Sequence, residues 1–144
     1  NTTQSWSTAV GVDALKVNQG DYNTAFGSQT LYANTSGSSN TALGMNSLYT
    51  NTTGYQNEAF GFQALNKNTS GNANIAIGEQ SLYNNTTASG SVAVGWNALL
   101  TNTTGANNVG GKWGQQVQFS DGSVVILILK SSYIFILLSC NFIT

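Results

Sequence analysis

The chain has 144 residues, the size of one domain, and only 6% of them are charged, against about 25% in an ordinary globular domain. Four lysines and five acids leave a net charge of −1, and histidine is absent. This balance supplies neither a basic footprint for nucleic acid nor a polybasic strip for an anionic membrane, so solubility must come from amides and hydroxyls, or from something attached to them.

The start at Asn1, without an initiator methionine, reads as a mature product or a fragment. The opening "NTTQSW" matches the tail of a unit that then recurs along the chain. Copies begin at Ser7, Asn23, Asn40, Asn57, Asn74 and Ser91; the spacing is 17 residues, except that the first copy is one residue shorter. Numbering positions within a copy as columns, four columns are invariant. Column three is alanine (Ala9 to Ala93), and column five is glycine (Gly11 to Gly95). Column nine is leucine: Leu15, Leu31, Leu48, Leu65, Leu82 and Leu99. Column twelve is asparagine: Asn18, Asn34, Asn51, Asn68, Asn85 and Asn102, with Asn1 in phase before them.

Seventeen residues is about half of what a helix-turn-helix repeat needs, and Asn, Thr and Gly recur too often for stable helix. The period suits one coil of an all-β parallel solenoid, a β-roll in which identical residues stack as ladders at about 4.8 Å per coil. Within a copy, "NTAFG" or "SVAVG" reads as a short strand. Column four is always apolar (Val10, Phe26, Leu43, Phe60, Ile77, Val94) and reads as a core anchor. The opposite face is then Ala and Gly, where another backbone packs closely. "QTLY" or "NSLY" reads as a second strand carrying the leucine, and "NTTG" or "NTSG" as a turn whose Asn or Gly supplies a positive φ. A core this thin points to a homo-oligomer, most simply three-fold, or to a filament.

After "NNVGGKWG" (107–114) the pattern stops, dividing the chain into a solenoid, 1–112, and a segment 113–144. "QVQFSDGSVVILILK" (116–130) carries a hairpin signal at Asp121-Gly122, and "YIFILLSCNFIT" (133–144) offers a third strand. The segment reads as a C-terminal cap or assembly element. The alternatives are a membrane span over 124–143, interrupted by Lys130, Ser131 and Ser132, and a tail unrelated to the rest. Its Cys140 is the only cysteine, which excludes an internal disulfide.

The stretches "SVAVG" (91–95) and "NIAIG" (74–78) resemble the core of head repeats in trimeric autotransporter adhesins. The longer unit "NTALGMNSLYTNTTG" (40–54) resembles repeats of phage tail-fibre proteins that end in an endosialidase-type chaperone domain. The resemblance covers residues 1–110 and implies a left-handed roll, three chains about an axis, and use as a shaft or adhesive head. It departs from the autotransporter head repeat, which is shorter than 17 residues, and neither a chaperone domain nor an anchor barrel is visible in the sequence.

Candidate sites follow from the columns. Asn1, Asn34, Asn51, Asn68, Asn85 and Asn102 each open an N-x-S/T sequon, which makes them glycan acceptors in a secretory product, or else the rungs of an Asn/Thr hydrogen-bond ladder. Tyr32, Tyr49 and Tyr83 share column ten, as packing between chains or as a row that stacks on carbohydrate. Thr8, Thr24 and Thr41 begin a threonine column of the kind that binds ice in some solenoids, but Glu58, Ile75 and Val92 interrupt it. No residue pattern suits catalysis, a metal or another cofactor. The sequence thus reads as the subunit of an extracellular or virion-surface fibre, with a carbohydrate-binding adhesin module as the alternative. Its partners are copies of itself, with surface carbohydrate in the alternative, and neither nucleic acid nor membrane.

Overall fold

The computed structural model describes residues 6–111 in full, together with the backbone of 127–130 and 133–136. Seven strands of three residues form one parallel sheet: β1 (Thr8–Val10), β2 (Thr24–Phe26), β3 (Thr41–Leu43), β4 (Glu58–Phe60), β5 (Ile75–Ile77), β6 (Val92–Val94) and β7 (Val109–Gly111). They lie side by side in chain order. The register joins like to like: Ala9 meets Ala25, Ala25 meets Ala42, Ala42 meets Ala59, and so on to Ala93. The period of 17 is therefore a β-solenoid, and each sequence column is a column in space. Six steps at about 4.8 Å give a rod segment of roughly 29 Å.

Two features of the coil differ from the sequence reading. The leucine segment is a run of turns and not a second strand. Its leucines are left-handed, with φ of 49–51°, and so are the residues two positions before them, Asp13, Gln29, Asn46, Gln63, Gln80 and Asn97, at 54–59°. A leucine in that region costs roughly 1–2 kcal/mol, and it is held there because its amide still reaches the next rung, as Leu31 N does to Ser47 O at 3.0 Å. Nor does "NTTG" supply its own left-handed residue. That residue comes at the end of the unit, at Ser39, Gln56 and Ala73 (52–57°). In "NTTG" the glycine gives close approach instead: a Cβ on Gly54 would lie 2.4 Å from Asn51 Oδ1, although the fifth copy places Ala88 at the equivalent position.

The second difference is which face of the strand is inside. From Ala25 to Ala93 the alanine column is buried and lies against the leucines, with Ala9 exposed in the first strand, while column four points out. Val10, Phe26, Leu43, Ile77 and Val94 are 40–56% exposed. The reason is the width of the coil. At Gly110, which takes the alanine place in β7, an added Cβ would come within 2.6 Å of Leu99 Cγ. The leucine already fills the interior: the other rungs hold only the methyl group of alanine in column three, and at Gly110 there is no room even for that without a shift of Leu99.

Downstream, β8 (Leu127–Lys130) and β9 (Tyr133–Ile136) pair antiparallel, Leu127 with Ile136 and Lys130 with Tyr133. The hairpin signal at Asp121-Gly122 and the expected cap boundaries lie outside the described residues. Among those that are described, no helix is long and apolar enough to cross a membrane.

Candidate functional site: buried amide ladders and an exposed apolar band

The described sequon asparagines of column twelve are among the most buried polar groups of the rod. Asn34, Asn51, Asn68 and Asn85 have no exposed surface, and Asn102 has 3%. Each donates one Nδ2 proton to the Oδ1 of its counterpart one rung earlier: Asn51 to Asn34 at 2.7 Å, Asn68 to Asn51 at 2.8 Å, Asn85 to Asn68 at 2.9 Å. The other proton goes to the carbonyl three residues on, as from Asn51 to Gly54 O at 2.9 Å. Both protons are committed, and the surroundings are sealed. A glycan on Nδ2 would have to replace one of these bonds and displace a neighbouring rung, so the folded coil has no place for a sugar column at Asn34, Asn51, Asn68, Asn85 and Asn102; the further sequon at Asn84 is half-buried and lies outside this ladder. Asn1 lies outside the described residues.

A second amide ladder runs in column one, through Asn23, Asn40, Asn57 and Asn74, all fully buried. The Oδ1 of Asn40 accepts both the backbone N–H and the Nδ2 of Asn57, at 3.0 and 3.1 Å. The two ladders converge on one carbonyl per coil. Gly54 O accepts from Asn51 and from Asn40, and Gly71 O from Asn68 and from Asn57. Both lone pairs of that oxygen are then used, which leaves no unsatisfied acceptor at that point of the interior. The signal for this second ladder was present in the sequence, since asparagine opens four consecutive copies.

The threonine directly after the asparagine, the middle residue of the sequon, completes the rung. Thr69 Oγ1 donates to Thr86 O at 3.0 Å, and Thr52 Oγ1 donates to Thr69 O at 2.9 Å. Thr69→Val keeps the shape and removes one such bond from a carbonyl that also accepts backbone N–H groups. It should cost about 1 kcal/mol and lower the melting midpoint by roughly 3 °C, read by circular dichroism.

The tyrosines also stack along the rod. Tyr32 and Tyr49 lie with ring centroids 5.1 Å apart and planes 15° from parallel. Lys16, one rung before, places its ammonium 5.2 Å from the Tyr32 ring. Rung four has Asn66 in this column, and there Lys67 reaches across to sit 5.1 Å from the Tyr83 ring. Lys16 also pairs with Asp13 at 3.3 Å, and that hydrogen bond, followed by the carboxylate's charge, raises its pKa. Tyr32 thus has a neighbour on each side along the column, Lys16 before it and Tyr49 after it.

The remaining feature is the outward face of the sheet. Column four is joined two residues further along the rung by column six, where Val12, Met45, Phe62 and Trp96 are 37–73% exposed. Column two changes from Thr8, Thr24 and Thr41 to Glu58, and then to Ile75, Val92 and Val109. The result is an apolar band along the length of the rod. Glu58 and Glu79 are the only charged residues in its three columns. Among the described residues no three His, Cys, Asp or Glu side chains gather as a metal site.

Comparison with family models, with curated proteins and with solved structures finds no match. What can be said of function therefore comes from the coil itself.

Proposed function

We propose that this chain is a structural segment of an extracellular or virion-surface fibre, a rod whose copies associate side by side through the band of columns two, four and six. The exposed band carries the proposal. Ten of its apolar side chains are 37–73% exposed. At about 150–200 Å² per large side chain this leaves roughly 900 Å² of apolar surface, above the ~300–600 Å² of the largest patch on a typical monomer. Covering it on two copies removes about 1,800 Å², within the range of stable interfaces.

A second copy suits the band because the band runs along the stacked rungs and is nearly uncharged, and so is its own complement. The reading is structural and not catalytic, and the interior ladders serve to keep the rod rigid. The adhesin alternative draws less support, because a sugar needs a free ring face and the Tyr32 ring has Lys16 before it and Tyr49 after it.

Sedimentation velocity on the full chain tests the packing. The wild-type chain should sediment as an assembly, and Phe26→Asp with Leu43→Asp should sediment as one chain with an unchanged circular dichroism spectrum. A wild-type chain that stays single at tens of micromolar would remove the proposal.

A further inference from the structure

We infer that Asn84 is an acceptor for N-linked sugar, the one described sequon asparagine whose amide the folded coil leaves able to carry it. The inference rests on the extracellular reading proposed above, because this modification belongs to secreted chains. The sequon Asn84-Asn85-Thr86 overlaps the one that begins at Asn85, and it is the only sequon that starts outside column twelve. That one-residue offset changes the surroundings. Column eleven holds Val17, Ala33, Thr50, Lys67, Asn84 and Thr101, of which Val17, Lys67 and Thr101 are exposed and the others half-buried.

Hydrogen bonding separates Asn84 from Asn85. Transfer of the sugar forms a bond from Nδ2 to its anomeric carbon. It breaks that carbon's bond to the pyrophosphate of a lipid-linked oligosaccharide donor, which leaves with one amide proton. The acceptor therefore keeps a single N–H. Asn85 uses both of its own, one to Asn68 Oδ1 at 2.9 Å and one to Ala88 O at 3.1 Å, with no surface exposed. Asn84 donates one, to Leu100 O at 2.9 Å, and its Oδ1 accepts from Lys67 Nζ at 2.9 Å. Both contacts need only groups that a glycosylated amide retains. Position matters as well. The leucines lie against the alanine column across the interior, and column eleven follows them, whereas the apolar band is the outer face of the sheet. A sugar on Asn84 keeps the leucine wall in water and leaves the band as the face on which copies meet.

The test is the full chain directed through the secretory route of a eukaryotic cell line, with Asn84→Gln and Thr87→Ala as variants. Thr87→Ala removes the sequon of Asn85 and keeps that of Asn84. Enzymatic release of the sugar converts its carrier to aspartate, so intact mass and peptide mapping locate it. Wild type and Thr87→Ala should carry sugar on Asn84 and on no other asparagine of residues 6–111. Asn84→Gln should lose all sugar from this range, with an unchanged circular dichroism spectrum. A folded wild-type chain without sugar on Asn84 overturns the inference, and so does sugar on Asn85 in place of Asn84. Sedimentation velocity of the same material reads the packing separately. An assembled chain without the sugar sinks this inference and leaves the packing intact, whereas a glycosylated chain that stays single removes the packing and upholds Asn84 as the acceptor.

Discussion

Asn51→Asp should destabilise the rod by at least about 4 kcal/mol at neutral pH, although the substitution changes one nitrogen to an oxygen. In the native coil Asn51 donates to Asn34 Oδ1 and to Gly54 O and accepts from Asn68 Nδ2, with no surface exposed. An aspartate oxygen in the place of Nδ2 would face two oxygens with nothing to donate. Each buried group left without a partner costs about 1–3 kcal/mol, and the unpaired buried charge costs several more. Against a total stability of about 5–15 kcal/mol, this approaches loss of the fold.

The dependence on pH separates charge from shape. Burial disfavours the ionised form, so the aspartate introduced would have a folded-state pKa above its unfolded value of about 3.9. The folded variant then binds more protons than the unfolded chain. Its stability is greatest below about pH 4 and falls as pH rises through the folded-state value. Asn51→Ala removes the same bonds without a charge and should lose about 2–4 kcal/mol with no such slope. Urea unfolding at acid and neutral pH measures both. An Asn51→Asp chain as stable as wild type at neutral pH would mean that the ladder does not exist. The same would follow from an intact mass showing sugar on Asn51 in the folded protein.

The ladders also show how far the sequence alone could be read. The period, the parallel stacking and the alignment of alanine, glycine, leucine and asparagine columns were legible, because a solenoid repeats its contacts at every rung and the residues repeat with them. What a period of two along a strand cannot give is its sign. It separates Ala42 from Leu43 without saying which one faces inward. Hydrophobicity favours Leu43, but the coil is too narrow for it once Leu48 fills the interior. The turn geometry was hidden for a different reason. A left-handed leucine is rare enough to be discounted residue by residue, and it is stable here only because bonds to the adjacent rungs hold it. The asparagine column was ambiguous since one pattern, Asn-x-Thr, serves both a glycan acceptor and a rung-to-rung hydrogen bond. Exposure decides between them, and exposure is a property of the closed coil. The apolar band on columns four and six was visible in composition, but only once it was known to face outward did it become a surface.

Gly61→Ala should cost the rod about 3–5 kcal/mol and should split its unfolding into two transitions. Gly61 has φ of +140°, a region that residues with a side chain avoid at a cost of about 1–3 kcal/mol. The added Cβ would lie 2.6 Å from both the carbonyl carbon and the oxygen of Gly78, backbone atoms of the next rung that have no side-chain freedom to give way. Relieving that overlap adds about 1–3 kcal/mol. The five other copies carry glycine here as well, Gly11, Gly27, Gly44, Gly78 and Gly95, at φ of 124–138°. The NTTG-type glycine column does not hold to the same rule, since Ala88 stands in it. Column five has no such exception among the six copies, and Gly11, Gly27, Gly44, Gly61 and Gly78 each combine a positive φ with a close backbone neighbour. The location of the rung then sets the outcome. A solenoid is stabilised by contacts between nearest neighbours, and a weak interface in the middle separates it into two shorter stacks. Gly11→Ala makes a similar clash, with Gly27 O at 2.5 Å, but in the coil of β1, the first strand of the sheet. It should fray that coil and leave one main transition. Thermal unfolding followed by circular dichroism distinguishes the two cases. Equal losses with a single transition in both variants would show that the rod melts as one body and not rung by rung.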